Sequence, residues 1–376
     1  MRPLKFILLM GIVSLLGDMT YEGARSVLGP FLATLGVSAF TLGLIIGFAE
    51  FAGYGFRLVS GYLVDRSRRY WFATFLGYGL ILAIPLLALT YDWKIAAVLI
   101  ILERLGKGIR TPARDTILSF ATKKVGRGLG FGIHEALDQI GAFLGPLVIF
   151  FALHLGLGYR FGFAILAIPT IALLAILGYS FFQVPNPQKF EEKTISNPNK
   201  VFWFYLVFVF FGVAGFVNFQ IISYHFKLTK IVEDELIPIL YAIAMGVDAM
   251  FAIAVGKLYD KIGFKVLLLI PALTVLIPLA FLNPIAIVFF GLVMAIHETV
   301  MRSAVADLSE VSKRGTAYGL LNFVYGLGLF FGSSAIGFIY DISPNLVWIY
   351  AIIAEILAGI FAILLLLNLK PQNLND

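Results

Sequence analysis

Long apolar segments recur along the whole chain and decide what it can fold into. The segments Ile95–Leu102, Phe163–Leu177 and Ile356–Leu367 are examples, and none of them alternates apolar with polar residues. A transmembrane β-strand needs such alternation over about ten residues, whereas a helix needs about twenty mainly apolar residues to cross ~30 Å of hydrocarbon. The apolar segments therefore predict an all-α integral membrane protein.

The charge content supports this interpretation. Of the 376 residues, 60% are hydrophobic and only 13% are charged, whereas a soluble globular chain has about 25% charged residues. This composition excludes a soluble enzyme and a disordered chain, and the absence of cysteine excludes a disulfide-stabilised secreted domain. The net charge of +6 comes from the loops and does not indicate nucleic-acid binding.

Loop signals divide the chain into twelve predicted transmembrane helices. Their predicted ranges are 4–33, 39–64, 71–91, 94–118, 128–153, 160–183, 201–228, 235–258, 264–281, 284–308, 315–339 and 345–369. The only long polar segment, residues 185–200, is proline-containing, and we interpret it as a cytoplasmic linker. It separates a predicted N-terminal six-helix bundle, residues 1–184, from a C-terminal six-helix bundle, residues 201–376.

Basic residues are concentrated in alternate loops, which predicts the orientation of the chain. The basic set consists of Arg2, Lys5, Arg66, Arg68, Arg69, Lys123, Lys124, Arg127, Lys189, Lys193, Lys200, Lys257, Lys261, Lys265, Lys313, Arg314 and Lys370. The opposite loops contain only Lys94, Arg160, Lys227 and Lys230. We therefore predict a multi-pass protein of the plasma (inner) membrane with both termini in the cytoplasm, as the even number of helices also requires.

An internal repeat follows the second and the eighth predicted helix. The two copies read Gly61-Tyr-Leu-Val-Asp65-Arg66 and Gly256-Lys-Leu-Tyr-Asp260-Lys261. This G-x-L-x-D pattern resembles the signature loop of the major facilitator superfamily. The resemblance implies twelve helices in two pseudo-symmetric six-helix bundles, with these loops controlling the switch between two conformations.

The fifth predicted helix carries a second motif. Gly132, Gly141, Gly145 and Pro146 form the pattern G-x8-G-x3-G-P, which resembles the motif of the antiporter, or exporter, branches of the same superfamily. Glycines allow close helix packing and proline allows a bend. The resemblance therefore implies export in exchange for protons.

Ionisable residues occur inside the predicted helices, where a charge must face protein or water. On the fourth helix, Glu103-Arg104-Leu-Gly-Lys107 is similar to a segment of the family in which the arginine is implicated in proton transfer. Arg110 and Arg114 continue the same helical face, and we expect them at the level of the lipid headgroups.

The candidates for proton coupling and for the substrate cavity are distributed over both predicted bundles. They are Asp18, Glu22, Arg25, Glu50, Glu103, Arg104, Lys107, His134, Glu135, Asp138, Asn218, Asp248, His297 and Glu298. Embedded acids outnumber embedded bases, and burial disfavours an ionised carboxyl group. The surplus carboxyls are therefore expected to hold protons, water or a cation. Glu355, on the peripheral twelfth helix, is expected to have a structural or lipid-edge role.

These features favour a secondary active transporter that exports a small amphipathic or cationic molecule in exchange for protons, by alternating access. Two alternatives are a proton-coupled importer and a divalent metal exporter that uses His134, Asp138, His297 or Glu298. The sequence contains no metalloprotease, serine hydrolase or nucleotide-binding motif. We therefore expect no enzymatic activity, no catalytic residues, no resident metal and no cofactor. We also expect a monomer whose partners are protons, the lipid bilayer and a small-molecule or ion substrate.

Overall fold

The structure, a computed structural model, describes residues 3–122, 125, 127–183, 200–309 and 314–369. For a few of these residues, namely Asp65, Phe120, Thr122, 127–129, Arg314 and Gly315, only the backbone is described. The described residues form helices and connecting turns and contain no β-strand. The predicted helical class is therefore confirmed.

The described residues form sixteen α-helices, which follow one another in chain order. They are α1 (Pro3–Arg25), α2 (Leu28–Thr34), α3 (Ala39–Ser67), α4 (Tyr70–Gly79), α5 (Ala83–Leu86), α6 (Trp93–Thr122), α7 (Arg127–His154), α8 (Gly158–Ile165), α9 (Ala167–Gln183), α10 (Lys200–Ala214), α11 (Phe219–Thr229), α12 (Ile237–Ile262), α13 (Leu269–Thr274), α14 (Ile287–Leu308), α15 (Arg314–Ile342) and α16 (Leu346–Asn368). Short 3₁₀ segments occupy Leu80–Leu82, Leu87–Leu89, Asp234–Leu236, Gly263–Leu268, Ile277–Phe281 and Pro284–Ala286.

Several predicted spans consist of two shorter helices because proline interrupts them. A proline lacks the N–H that would bond to the carbonyl four residues earlier, and its ring clashes with that carbonyl. Accordingly, α8 ends at Ile165, four residues before Pro169, and α13 ends at Thr274, four residues before Pro278. Helix α1 likewise ends at Arg25. The next residue, Ser26, lies four residues before Pro30, which has no N–H to bond to its carbonyl.

Pro112 lies inside α6 without ending the helix. The carbonyl of Gly108, which Pro112 deprives of its helical donor, accepts a 2.7 Å hydrogen bond from the hydroxyl group of Ser60 on α3. The side chain of one helix therefore replaces the hydrogen bond that the other helix lost. This contact places the end of α3 against the middle of α6.

Ten helical segments of the described chain are long and apolar enough to cross a membrane. One of them, Asp234–Phe281, has 48 residues and covers the eighth and ninth predicted spans, since about twenty residues suffice for one crossing. Helix α6, the fourth predicted span, has the required length but is not among the ten. Its charged residues lower its mean hydropathy.

The chain forms two compact units that do not follow chain order. The first consists of the described residues of Met1–Val37, Phe56–Phe190 and Phe226–Ala242, and the second of those of Ser38–Gly55, Glu191–His225 and Ile243–Asp376. Helix α3 therefore contributes its first half to the second unit and its second half to the first. The linker predicted at 185–200 lies almost entirely outside the described residues, so the predicted division into two bundles stays a prediction.

Each unit contains helices in unusually close contact. In the first unit, α1 and α7 approach so closely that a Cβ on Gly145 would lie 2.7 Å from the backbone nitrogen of Gly23. In the second unit, the first half of α3 packs along α15, and the Asp341 carboxylate accepts hydrogen bonds of 3.0 and 2.9 Å from the backbone of Ala39 and Phe40. Small residues make both approaches possible.

Candidate functional site

Three cations of α6 surround the ring of Tyr21 on α1. Lys107 lies nearest, with its Nζ 4.1 Å from the ring centroid, and donates a 2.5 Å hydrogen bond to the hydroxyl group. The guanidinium carbons of Arg104 and Arg110 lie 5.0 and 5.7 Å from the same centroid. Because the face of an aromatic ring attracts cations, Tyr21 holds the charged face of α6 against α1. We call Tyr21, Arg104, Lys107 and Arg110 the cation–tyrosine cluster.

Glu103 compensates the charge of this cluster from within α6. Its side chain is 2% exposed, and its two oxygens lie 3.5 Å from Nε of Arg104 and 3.5 Å from Nη2 of Arg110. A carboxylate between two guanidinium groups is held by both, and its removal would deprive two buried cations of their shared anion. Glu103 therefore serves to stabilise the cluster.

Arg110 and Arg114, which we expected at the level of the lipid headgroups, both contact residues of other helices. Arg110 is 3% exposed and bonds to the carbonyl of Gly77, with its guanidinium 5.2 Å from the Tyr78 ring. The side chain of Arg114 is 15% exposed and donates a 2.9 Å hydrogen bond to Ser14. The sequence of α6 could not reveal this burial, because the partners come from other helices.

Asp138 of α7 lies between two groups that hold it only loosely. Its Oδ2 is 3.9 Å from Nη1 of Arg114 and 3.6 Å from Nδ1 of His134. Its Oδ1 is buried and has no hydrogen-bond partner among the described residues. Arg114 has stronger contacts elsewhere, at 2.8 Å to Asp115. Asp138 is therefore a partly buried carboxylate whose charge could change without leaving Arg114 unpaired.

Asp18 completes the charged region of the first unit. The charged groups that act on it are Asp138, Lys107, Glu22 and Arg110. Asp18 and Asp138 are both carboxylates and repel each other when both are ionised. A positive charge beside the two carboxylates would offset this repulsion.

Glu22 has a different environment from Asp18, although both belong to α1. It pairs with Arg25 at 3.4 Å, the contact that their spacing suggested. Its other carboxylate oxygen accepts a hydrogen bond from the hydroxyl group of Tyr241 on α12. This contact between Tyr241 and Glu22 could not be predicted, because a tyrosine in an apolar helix shows no pattern that identifies a partner about two hundred residues away.

The helix motif on α7 positions Asp138 by packing. A Cβ on Gly141 would overlap the backbone of Leu15, and Gly145 meets Gly23 and Met19 in the same way. The Cβ position of Gly132 has no neighbour within 4 Å. Two of the three glycines of the motif thus bring α7 against α1, which carries Asp18.

The structure also places the remaining predicted site residues. Glu135 is exposed on α7. The other predicted candidates belong to the second unit and are Glu50, Asn218, Asp248, His297 and Glu298.

Asn218 and His297 both contact residues of their own unit. Asn218 donates a 2.8 Å hydrogen bond to Ser333 and accepts one of 3.0 Å from the backbone of Ile221, so it caps the start of α11. His297 lies 3.2 Å from the hydroxyl group of Tyr325 and 5.4 Å, ring to ring, from Phe216. Both residues therefore have a structural explanation within their unit.

The phenylalanines of the seventh predicted helix pack inside the second unit. Phe208, Phe216 and Phe219 are buried, and the Phe216 and Phe290 rings lie 4.9 Å apart.

Among the described residues, no group of three or more His, Cys, Asp or Glu side chains is placed to hold a metal ion. The geometry therefore gives the metal-exporter alternative no support.

The two repeated loops differ in what the structure describes. In the first copy, a Cβ on Gly61 would lie 3.6 Å from Pro112, Arg66 is exposed, and the side chain of Asp65 is outside the described residues. In the second copy, Asp260 and Lys261 are exposed, and a Cβ on Gly256 would lie 3.4 Å from Thr299. The gating role of both loops stays a prediction.

A polytopic helical protein with a charged region enclosed by its helices belongs to the class of membrane transporters. The sequence profile of the Major Facilitator Superfamily matches residues 8–297. An MFS-type transporter of Methanocaldococcus jannaschii is 31% identical over 381 residues, which cover 95% of this chain and 94% of that protein. The chain therefore belongs to the Major Facilitator Superfamily and is a small-molecule transporter and not an enzyme.

Further similarities agree with this assignment. An uncharacterised protein of Mycobacterium tuberculosis is 38% identical over 372 residues, covering 94% of this chain and 91% of its own length. The class H tetracycline resistance protein of Pasteurella multocida is 30% identical over 152 residues, 36% of this chain and 38% of that protein. The fold is similar to that of a mutant of the nucleoside transporter NupG, with a TM-score of 0.78, 14% identity and coverage of 97% and 100%.

Proposed function

We propose that the protein exports a small amphipathic or cationic molecule across the plasma membrane in exchange for protons. The observation that carries the proposal is the Asp138 carboxylate, which is 14% exposed, has one buried oxygen without a partner among the described residues, and contacts its basic neighbours only at 3.6 to 3.9 Å. Embedded ionisable residues of this kind mark proton or ion pathways in transporters.

The exchange follows from the charges around Asp138. A proton on Asp138 removes its repulsion with Asp18, and a cationic substrate beside the pair would have the same effect. Proton and substrate therefore compete for the same negative charge, which is the requirement for antiport. Arg114 also contacts Ser14 and Asp115, and we expect it to keep these contacts when Asp138 is neutral, so that the change of charge does not disrupt the surrounding helices.

Direction and orientation rest on further support. The glycine pattern of α7 resembles that of exporters, and one partial relative is a tetracycline resistance protein. The distribution of basic loop residues favours cytoplasmic termini. In the alternating-access cycle, the carboxyl group would take up a proton from outside as the substrate leaves there, and would release this proton inside, where the next substrate molecule binds.

The proposal is tested with the full-length protein in vesicles that contain a pH-sensitive dye. Tetraphenylphosphonium and tetracycline serve as cationic and amphipathic probes. We expect at least one probe to drive proton movement, and Asp138→Asn and Asp18→Asn to abolish it. Glu233→Gln, which alters an exposed acid in a loop, should behave as the wild type. Normal coupling in both aspartate variants would refute the assignment.

A further inference from the structure

The seventh predicted span is interrupted in the second unit. Helix α10 ends at Ala214 and α11 begins at Phe219, so residues 215–218 are irregular. The N–H groups of Gly215 and Phe216 bond to the carbonyls of Phe211 and Val213 at 2.9 and 3.2 Å. The last carbonyl groups of a helix lack helical partners and carry partial negative charge. A negative helix end therefore lies inside the protein at Gly215.

The carboxyl group of Glu355 lies directly against this helix end. Glu355 is 2% exposed, so of the two roles expected from sequence, structural or at the lipid edge, its burial contradicts the second. A Cβ added to Gly215 would collide with Oε1 of Glu355 and lie 3.1 Å from its Cδ, and one on Gly212 would lie 3.9 Å from Oε2. Gly212 of α10 and Gly215, which directly follows this helix, thus provide the space for the carboxyl group.

Nothing in the described part of the chain compensates this accumulation of negative charge. Both carboxyl oxygens of Glu355 are buried without a hydrogen-bond partner among the described residues. The titratable group that interacts with it is Tyr350, on its own helix. Helix α13 has no ionisable residue, and Lys200 of α10 and Lys265 are exposed. Of the titratable groups on α15, Tyr340 bonds to His225 and Asp341 to the start of α3. A buried ionised carboxylate in this setting is costly unless a cation accompanies it.

A further oxygen atom that could bind a cation belongs to α13. Thr274 on α13 is fully buried, and its hydroxyl group has no partner among the described residues. It lies one helical turn after Ile270, whose Cγ2 is 3.3 Å from the Cβ position of Gly212. Residues four apart share a helix face, so the hydroxyl group is on the side of α13 that packs against the Glu355 region.

We propose that Glu355, Thr274 and the terminal carbonyl groups of α10 form a sodium-binding site. Carboxylate, hydroxyl and carbonyl oxygens are the ligands of hard cations, and interrupted membrane helices present such carbonyls to Na⁺. One carboxylate balances one positive charge, which selects a monovalent ion. A proton on Glu355 would remove its charge but would leave the hydroxyl group of Thr274 without a partner among the described residues. The site is separate in the chain from Asp18 and Asp138 and does not depend on the proposed proton exchange.

The test measures thermal unfolding of the purified full-length protein in detergent. NaCl is titrated against choline chloride at constant ionic strength and pH. Because a ligand that binds the folded state raises its stability with concentration, we expect the unfolding temperature of the wild type to rise with Na⁺. Glu355→Gln should remove the rise, and Thr274→Val should shift it to about tenfold higher Na⁺, equivalent to ~1.4 kcal/mol of binding free energy. Glu233→Gln should respond as the wild type.

Two results would overturn the proposal. One is a wild type whose unfolding temperature is independent of Na⁺, or a Glu355→Gln variant that keeps the full response. The other is a pH-dependent stability in choline chloride that Glu355→Gln removes without any effect of Na⁺, which would show that a proton occupies the site. If Glu355→Gln does not fold, Thr274→Val decides, since it preserves side-chain shape and charge. Proton movement in vesicles is a separate readout, so failure of either proposal is recognised independently.

Discussion

The two units contain buried carboxyl groups in opposite situations. Glu103 in the first unit lies between two arginines of its own helix, and Glu22 has both Arg25 and Tyr241. Glu355 in the second unit has no such partner among the described residues and lies against a helix end of the same sign. A residue type that is equally buried in both places is therefore structural in one and a candidate ligand in the other.

The comparison also explains why Asp138 differs from its neighbours. Its contacts are longer than those of Glu103, and the arginine beside it is bonded elsewhere. Buried ion pairs become fixed when removal of one partner leaves the other unpaired. A carboxyl group can change its charge where no buried cation depends on it as a partner. This condition separates Asp138 and Glu355 from Glu103 and Glu22.

The largest expected effect is a difference in stability between two Glu→Gln variants. Glu103→Gln leaves Arg104 and Arg110 without their carboxylate and should lower the free energy of unfolding by about 3–5 kcal/mol. Glu355→Gln in sodium-free buffer leaves no cation unpaired and should cost little or be stabilising. Unfolding in mixed detergent micelles measures both, and equal losses would contradict the distinction between the two carboxyls.

A smaller effect is expected from Tyr241→Phe. This variant removes the hydroxyl group that donates to Glu22, and a hydrogen bond to a charged group contributes about 1.5–3 kcal/mol. The same unfolding measurement should show a loss of that size. Tyr62→Phe, at a residue that is 60% exposed, is the control and should be neutral. A neutral Tyr241→Phe would mean that Arg25 alone fixes Glu22.

The packing of α1 on α7 gives a third prediction of similar or smaller size. In Gly145→Ala the new methyl group meets the backbone of Gly23, and forced backbone shifts in a packed interior cost about 1–3 kcal/mol. Gly132→Ala adds the same group on the same helix where nothing lies within 4 Å and should be tolerated. The pair tests whether close approach of the helices is needed to hold Asp18 and Asp138 together, since proton movement should fall only in Gly145→Ala.

The smallest effect is expected at a pair near the surface. His154 and Glu235 lie 3.3 Å apart, but their side chains are 57% and 32% exposed. Ion pairs in such positions contribute about 0–1 kcal/mol, so Glu235→Gln should change the unfolding free energy by less than about 1 kcal/mol. A larger loss would indicate that exposure is a poor guide to the strength of charge pairs in this protein.

The helical class and the family could be predicted from the sequence because both depend on local patterns. Apolar length defines the spans, and the loop motif of Gly61 and Gly256 depends on residues close in the chain. The interruption of α8 and α13 was equally local, since Pro169 and Pro278 fix where these helices end.

The environment of individual charges could not be predicted in the same way. Arg110 is buried because Gly77 and Tyr78 of α4 receive it, and Glu22 depends on Tyr241 of α12. These partners are distant in sequence and have no charge pattern of their own. For the same reason, Glu355 could not be distinguished from a lipid-facing residue before the glycines opposite it on α10 were known.

The charge content of α6 has a consequence for how the protein enters the membrane. This helix is long enough to span but too polar to qualify as an independent span, and each buried charge raises the cost of moving a single helix from the translocon into lipid. Helix α6 packs tightly on α4, because Gly106 meets the carbonyl of Gly77. The same carbonyl accepts a hydrogen bond from Arg110. This packing supplies the missing stabilisation. We therefore expect α6 to leave the translocon together with the preceding span as one hairpin, so that biosynthesis of this chain includes an obligatory pause between its third and fourth crossings.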